Sequence, residues 1–456
     1  MSTLAPMLRV RAEDRLAVNG GTPVIPAGFT LMSRWPRIAE EDIQRLTAQL
    51  RSGLLTEMSS RAQLHEFEAE LAVSVGARFG MAVSSGTAAL HCALAGVGVE
   101  AGDEVVVPAL TYIACAAAVL HANAIPIFAD VDPLHYNVTP ETLEAALTPR
   151  TRAIIVVHLH GLPADMTGIM DLARRVGLPV IEDFSQAVGA SWQDRPVGAL
   201  GSVGAASLMA GKNLASAGEG GVLVTNDLEL RNRAARLKCF GESLDFEGGY
   251  TLQHGTLGYN YRINLLSAAL VSQQLFRLEE FTNARREGAA RLSAGISQVP
   301  GFHPPVVPDG AAHCYHMYRF RFDPAEAGLN ISVDQMREGL KRIFWEEGLP
   351  LVEFQNQPLA GHDLLQRRVG PGRGCPWACH GRDDLVYRIE DYPGALEAIR
   401  NSLIVGYPSQ GALANPEAVT AYVRVFEKIR TNLRAVERFA SQIVARAPWD
   451  EPARLF

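Results

Sequence analysis

Lys212 is the residue at which chemistry is expected. It lies in the stretch Gly201–Asp227 (GSVGAASLMAGKNLASAGEGGVLVTND), with Ser207 upstream and Gly218-Glu219-Gly220-Gly221 downstream. Small residues on both sides of a single lysine leave room for a bulky group to approach the backbone. A lysine desolvated in such a pocket has its pKa drawn toward ~7–8 and can act as a nucleophile or base. The segment comes close to a phosphate-binding P-loop, which requires glycine six residues before the lysine and Ser or Thr directly after it. Those positions hold Ala206 and Asn213. The P-loop reading fails at both, and with it a nucleotide-phosphate enzyme loses its main support.

Other polar residues must converge on Lys212 if it is to work, and the pattern of elements says which can. Short apolar runs at Glu104–Pro108, Ile125–Asp130, Ala153–His158, Pro179–Glu182, Ala205–Met209 and Gly221–Thr225 read as strands, with helices over Tyr112–Ala122, Pro140–Ala146 and Met166–Val176. Alternation of this kind implies a mostly parallel sheet with helices on both faces. Open sheets of this type bind ligands at the carboxyl ends of their strands. The residues predicted there are Ser85-Gly86-Thr87, Thr111-Tyr112, His158 and His160, Glu182-Asp183, and Ser207 with Lys212. The strand FGMAVSS runs through Gly86-Thr87 into a helix of small residues, the geometry in which a helix start holds a phosphate. No G-x-G-x-x-G follows a strand, so a dinucleotide fold is unsupported.

After about Leu265 the character changes. A long helix is expected through Ala268–Leu292, an antiparallel strand over His313–Asp323, a helix over Val333–Gly348, a Gly/Pro/Arg-rich loop at Gly370–Arg382 and a closing helix over Glu417–Phe439. The domain reading is a loosely ordered leader over 1–30, a large domain over 31–265 and a smaller α+β domain over 266–456.

Composition sets the outer bounds. The 456 residues are 48% hydrophobic and 20% charged, ordinary for a soluble globular chain of more than one domain. A formal net charge of −7 argues against nucleic acid or an anionic membrane surface as the main partner. No apolar run is long enough to span a bilayer, and the opening MSTLAPMLRVRAEDR lacks a signal-peptide core. Six sparse cysteines fit a reduced, cytoplasmic setting. Cys375, Cys379 and His380 form a C-x3-C-H cluster, but no second ligand pair follows at finger-like spacing. Free thiols in a surface loop, and no metal, are expected.

The motifs SGTAAL, VHLHGLPADM, IEDFSQAVGA, SLMAGKNL..AGEGG and GYNYRIN, in this order and spacing, resemble the DegT/DnrJ/StrS-type family of pyridoxal-phosphate (PLP) aminotransferases that act on keto-sugars and keto-cyclitols. The resemblance runs from about residue 16 to the end. It implies the fold type I of PLP-dependent transferases, with a seven-stranded-type sheet and a smaller α+β C-terminal domain. It also implies that Lys212 attaches PLP covalently and shuttles a proton, while Asp183 pairs with the pyridine nitrogen. Thr87, the backbone of Gly86 and Ala88, and Ser207 would hold the phosphate; Tyr112 would stack on the ring and Gln186 would approach its hydroxyl. Asn260 would reach a partner subunit's phosphate in a homodimer, and Arg262 and His160 are weaker candidates for substrate contact. Taken alone, Asp183 reads equally as a helix cap, Tyr112 as core packing, Gln186 as a loop bridge, Asn260 as a turn residue, and the two histidines as structural.

Departures bear on the substrate. Phe184-Ser185-Gln186-Ala187-Val188 stands where the family commonly has Ala-Ala-Gln-Ala-His, and Ile263-Asn264-Leu265 follows the Arg of GYNYR. Lys212 argues against the dehydratase branch of the family, in which histidine replaces the lysine. LAVNGGTPV and ALTYIACAAAVL look most similar to glutamine:scyllo-inosose-type aminotransferases and aminohydroxybenzoate synthases. The expected reaction is therefore transfer of an amino group from glutamine or glutamate to a keto-cyclitol or keto-sugar in natural-product biosynthesis. A PLP-dependent elimination and a non-catalytic PLP-fold partner subunit are the alternatives.

Overall fold

The computed structural model describes residues 12–29, 31, 35–245, 249–407 and 411–450. Two helices, α1 (Glu40–Ser52) and α2 (Arg61–Ser74), precede the sheet. The sheet elements then follow in chain order: β1 (Phe79–Val83), α3 (Gly86–Gly96), β2 (Glu104–Pro108), α4 (Ala114–His121), β3 (Ile125–Ala129), α5 (Pro140–Ala146), β4 (Thr151–Val157), α6 (Met166–Val176) and β5 (Val180–Asp183). A short ribbon, β6 (Ser191–Trp192) and β7 (Arg195–Pro196), separates these from β8 (Val203–Ser207) and β9 (Gly221–Thr225). The seven-stranded sheet has the order β1-β9-β8-β5-β4-β2-β3. Pairs within β3-β2-β4-β5-β8 are parallel, and β9 runs antiparallel to both β8 and β1. Strands such as β2 (EVVVP) and β9 (GVLVT) are buried at every position. That is why they read as unbroken apolar runs without alternation.

A second, antiparallel sheet orders Phe302–His303, Arg319–Phe322, Ser402–Val405 and Leu351–Val352 side by side. Its core includes Leu292, Phe320, Phe344, Tyr422 and Phe426. The two hydrophobic cores interleave along the chain: Leu359, Trp377, Tyr387 and Ile399 pack into the core of the large sheet, while Leu16 and Ile25 pack into the second.

The structure departs from the sequence expectation in five places, the last of them in the loop Gly370–Arg382. The described part of the leader is pinned rather than loose. Leu16 is fully buried, and the Glu347 carboxylate accepts from the amides of Ala17 (2.9 Å) and Val24 (3.0 Å) and from Lys428 Nζ. Lys428 in turn donates to Thr22 O (2.7 Å). A charge pair this deeply buried needs full hydrogen bonding, and the leader backbone supplies it. The helix expected through Ala268–Leu292 is two, Leu265–Phe276 and Leu278–Ile296, parted at Arg277, which pairs with Asp42 of α1 (2.5 Å). The closing helix likewise breaks at Asn432, whose side chain donates to Asp14 O in the leader (2.8 Å). Of His313–Asp323 only Arg319–Phe322 is strand, because the backbone of Cys314 and Met317 bonds to Gly161 and His160 instead of to a ladder.

The loop Gly370–Arg382 lies against the start of β2 and β3. Arg382 pairs with the buried Glu104, and fully buried Trp377 donates to Tyr387 Oη (3.0 Å), which donates to Pro126 O (2.8 Å). Cys375 and Cys379 in this loop are joined as a disulfide, correcting the expectation of free thiols; their Cα atoms are 5.1 Å apart within one tight turn. The other four cysteines are buried and free. Among the described residues no cluster of His, Cys, Asp and Glu could hold a metal ion, and no helix is long and apolar enough to cross a membrane.

Candidate active site

The end of β5 sorts two adjacent carboxylates to different duties, because successive side chains on a strand point to opposite faces. Glu182 is fully buried and saturated: it accepts from the amides of Gly198, Leu200 and Gly201 and from His158 Nε2 (3.1 Å). His158 Nδ1 accepts from the Ala164 amide (3.1 Å), so Nε2 carries the proton and the ring is a neutral structural element. Asp183 faces the other way and is 7% exposed. Its Oδ1 accepts from the Ser185 amide (2.9 Å) and its Oδ2 from the Cys115 thiol (3.3 Å). Among the described residues no cation forms an ion pair with it, which leaves a buried carboxylate with capacity for one.

Lys212 stands in the loop between β8 and β9. The loop is tied across its base by Leu208 N to Gly220 O (2.8 Å), Ala210 N to Gly218 O (2.9 Å) and Ser216 N to Leu208 O (2.8 Å). Burial pushes the Lys212 ammonium below its ordinary pKa, and nearby Asp183 and Cys115 oppose that shift. Trp35, in the segment before α1, secures the lysine backbone, its indole N–H donating to Lys212 O (2.8 Å) while Arg285 lies over its ring (4.3 Å). Asn213 secures it from the other side, with Oδ1 against His316 Nδ1 (3.1 Å) and Nδ2 donating to Cys314 Sγ (3.2 Å). His316 is kept neutral by burial and by the neighbouring Lys212 and Arg285 charges.

The third component is the start of α3. Ser85 caps the helix, its Oγ accepting from the Ala88 amide (3.1 Å). The amides of Gly86 and Thr87 have no acceptor within the helix and remain the donors of its positive end. A Cβ on Gly86 would lie 2.6 Å from Ser207 Cβ and 2.9 Å from Ser207 Cα, and one on Gly221 would lie 2.2 Å from Ser85 O. Glycine at these two positions lets the helix start seat directly against β8 and β9. An anion-binding helix start, a buried carboxylate awaiting a cation and a half-buried lysine form the donor set that fits PLP, whose phosphate, ring nitrogen and aldehyde carbon each need one of them.

The remaining candidates occupy distinct places. Tyr112 is 58% exposed, two residues before the start of α4. Gln186 is buried, and its Oε1 accepts from the His160 amide (2.7 Å). His160 adopts a left-handed backbone (φ 59°), is buried, and packs edgewise on Tyr136 and Phe354. Its Nε2 faces Arg319 Nη1 (3.2 Å) and its Nδ1 has no hydrogen-bond partner among the described residues; burial and Arg319 hold the ring neutral. Asn260 is exposed, its backbone bridging Cys239, and Arg262 lies over Phe240 (5.1 Å). Neither hydrogen-bonds to Lys212 or Asp183 among the described residues. Sequence reasoning missed Cys115, Trp35, Asn213, His316 and Arg319. Asn213 and Cys115 sit within three residues of candidates, a signal that went unused; Trp35, His316 and Arg319 are remote in the chain and gave none.

Comparison with known proteins places this geometry. A model of the DegT/DnrJ/EryC1/StrS aminotransferase family matches residues 36–356. The chain is similar to the spore coat polysaccharide biosynthesis protein SpsC of Bacillus subtilis, 39% identical over 82% of this chain and 91% of that one. It is also similar to the L-glutamine:scyllo-inosose aminotransferase of Streptomyces griseus, 34% identical over 93% of this chain and 100% of that one. The crystal structure of 3-amino-5-hydroxybenzoic acid (AHBA) synthase superimposes with a TM-score of 0.74 at 29% identity, over 87% of this chain and 97% of that one.

Proposed function

This chain belongs to the DegT/DnrJ/EryC1/StrS aminotransferase family, and from that premise we propose that it moves an amino group from glutamine or glutamate to the ketone of a cyclitol or sugar. Its cofactor is PLP, which when bound supplies the electron sink for chemistry at the amino-bearing carbon. Lys212 Nζ would attach the cofactor and, once released from it, carry the proton to and from that carbon. Burial favours the neutral amine that this work needs. Asp183 would hold the proton on the ring nitrogen. The amides of Gly86 and Thr87 and the Ser207 hydroxyl would bind the phosphate, the Ala88 amide being already held by Ser85 Oγ (3.1 Å), while Tyr112 would cover the ring face and Gln186 would lie beside the ring hydroxyl. Exposed Asn260 would complete the phosphate site of the partner subunit in a homodimer, and Arg262 and His160 would border the acceptor.

The observation that carries this reading is the buried Asp183 carboxylate, without an ion-pair partner among the described residues, close to the half-buried Lys212 whose charge it favours. The cyclitol or sugar acceptor and the glutamine donor draw their support from the scyllo-inosose aminotransferase, which aligns along its whole length. The test is an absorbance spectrum of the purified protein before and after L-glutamine, followed by scyllo-inosose. A yellow band that glutamine bleaches and the ketone restores is the expected result. A yellow band that no amino donor alters refutes transamination and favours elimination. Absence of any band after reconstitution with PLP, or borohydride trapping that persists in Lys212→Ala, refutes the roles given to the site.

A further inference from the structure

Cys115 is the buried group at the site that the reaction described above leaves unused. It sits in the first turn of α4, three residues after Tyr112, and is fully buried. Its thiol donates to Asp183 Oδ2 (3.3 Å), and Thr111, one turn earlier on the chain, brings its Oγ1 to 3.8 Å from the same sulfur. Thr111 is itself buried, and its carbonyl accepts from Gln355 Nε2. The two oxygens of Asp183 are thus held by two different elements: Oδ1 by the Ser185 amide on its own loop and Oδ2 by α4. A carboxylate tethered at one oxygen can swing about its terminal torsion, which is broad and roughly two-fold. One tethered at both cannot.

We propose that Cys115 is a positioning residue for the cofactor: its thiol donates to Asp183 Oδ2, fixes the plane of that carboxylate, and so sets how firmly Asp183 holds the proton on the ring nitrogen of PLP. The proposal rests on the role given to Asp183 above. Geometry supports the direction of the hydrogen bond. An ionised carboxylate can only accept, so in the Cys115–Asp183 bond the thiol gives the proton. Burial and the Asp183 charge both push the Cys115 thiol well above its ordinary pKa, so the donor stays protonated. Serine at this position keeps a donor of similar reach, whereas alanine removes the donor and leaves α4 otherwise intact.

The experiment compares Cys115→Ala, Cys115→Ser and Asp183→Asn with the parent protein. Two quantities are read: PLP affinity, by titrating apo-protein and following tryptophan fluorescence, and the pH midpoint of the visible band of the PLP-loaded protein. Cys115→Ala is expected to weaken PLP binding roughly threefold to tenfold, the range for a weak donor to a charged acceptor, and to displace the band midpoint. Cys115→Ser should restore both toward the parent values. If serine and alanine behave alike, or if alanine leaves the midpoint in place, Cys115 is packing only and the proposal is overturned. If Asp183→Asn also leaves the midpoint in place, it is the role of Asp183 that fails, and the positioning role falls with it.

Discussion

Gly86→Ala tests the phosphate cradle where the structure gives a magnitude. The added Cβ would lie 2.6 Å from Ser207 Cβ and 2.9 Å from Ser207 Cα. Both are atoms at or next to the backbone of an interior strand, where Ser207 pairs with Gly221 of β9, so no flexible side-chain end can give way. Ordinary contact would require α3 and β8 to part by roughly 1 Å, an overpacking cost of about 1–3 kcal/mol. The displacement matters more for binding. Hydrogen bonds from the Gly86 and Thr87 amides to a phosphate, optimal near ~2.9 Å, are lost by ~3.6 Å. One such charge-assisted bond contributes about 1.5–3 kcal/mol, so its loss should weaken PLP roughly 10-fold to 150-fold. Titration of apo-protein with PLP, alongside thermal unfolding of the apo form, separates the two effects. A PLP affinity within threefold of the parent, in a protein that still folds, would refute the claim that the close seating of α3 on β8 builds the phosphate site.

Three further expectations follow from the geometry. Because burial lowers the Lys212 pKa while Asp183 raises it, Lys212 in apo-protein should react with pyridoxal at a pH where exposed lysines are still protonated, and Asp183→Asn should move that midpoint lower still. The pH profile of borohydride-trapped adduct reads this, and a midpoint that rises contradicts the stated sign. Glu347→Gln should cost about 3–5 kcal/mol in denaturant unfolding, since it leaves the buried Lys428 charge unpaired and weakens the hold on the leader, with part recovered in Glu347→Leu/Lys428→Met. A loss below 1 kcal/mol would mean that the pair is not shielded from water. Thiol titration in denaturant should find four reactive groups before reduction and six after, because Cys375 and Cys379 are paired and the other four are free.

The alternating runs of the sheet were legible in the sequence because strands buried on both faces must be apolar throughout, and helices between them must repeat at their own period. Glu104–Pro108 and Gly221–Thr225 have the very bounds that their composition suggests. Lys212 and Gly86 stand out in the sequence for a related reason: each lies beside a strand end in a local pattern of small residues, and local pattern is what a sequence exposes, whereas Asp183 taken alone reads equally as a helix cap. The meeting of the three is not legible there. Glu182 and Asp183 are neighbours of like chemistry, and only the direction of β5 and the amides of Gly198, Leu200 and Gly201 make one structural and leave the other, held by Ser185 and Cys115, without an ion pair among the described residues. Trp35 on Lys212, His316 on Asn213 and Cys115 on Asp183 are contacts between segments remote in the chain, each decided by which elements the fold packs together. The leader shows the limit from the other side: its residues 12–29 are Gly- and Pro-rich and read as loose, yet the buried Glu347–Lys428 pair fixes them through backbone groups that every sequence shares. Side-chain type and spacing determined which groups were available for chemistry. Tertiary packing decided which were desolvated, which were satisfied by neighbours, and which were left to act, because burial and hydrogen bonding depend on partners the local sequence does not name.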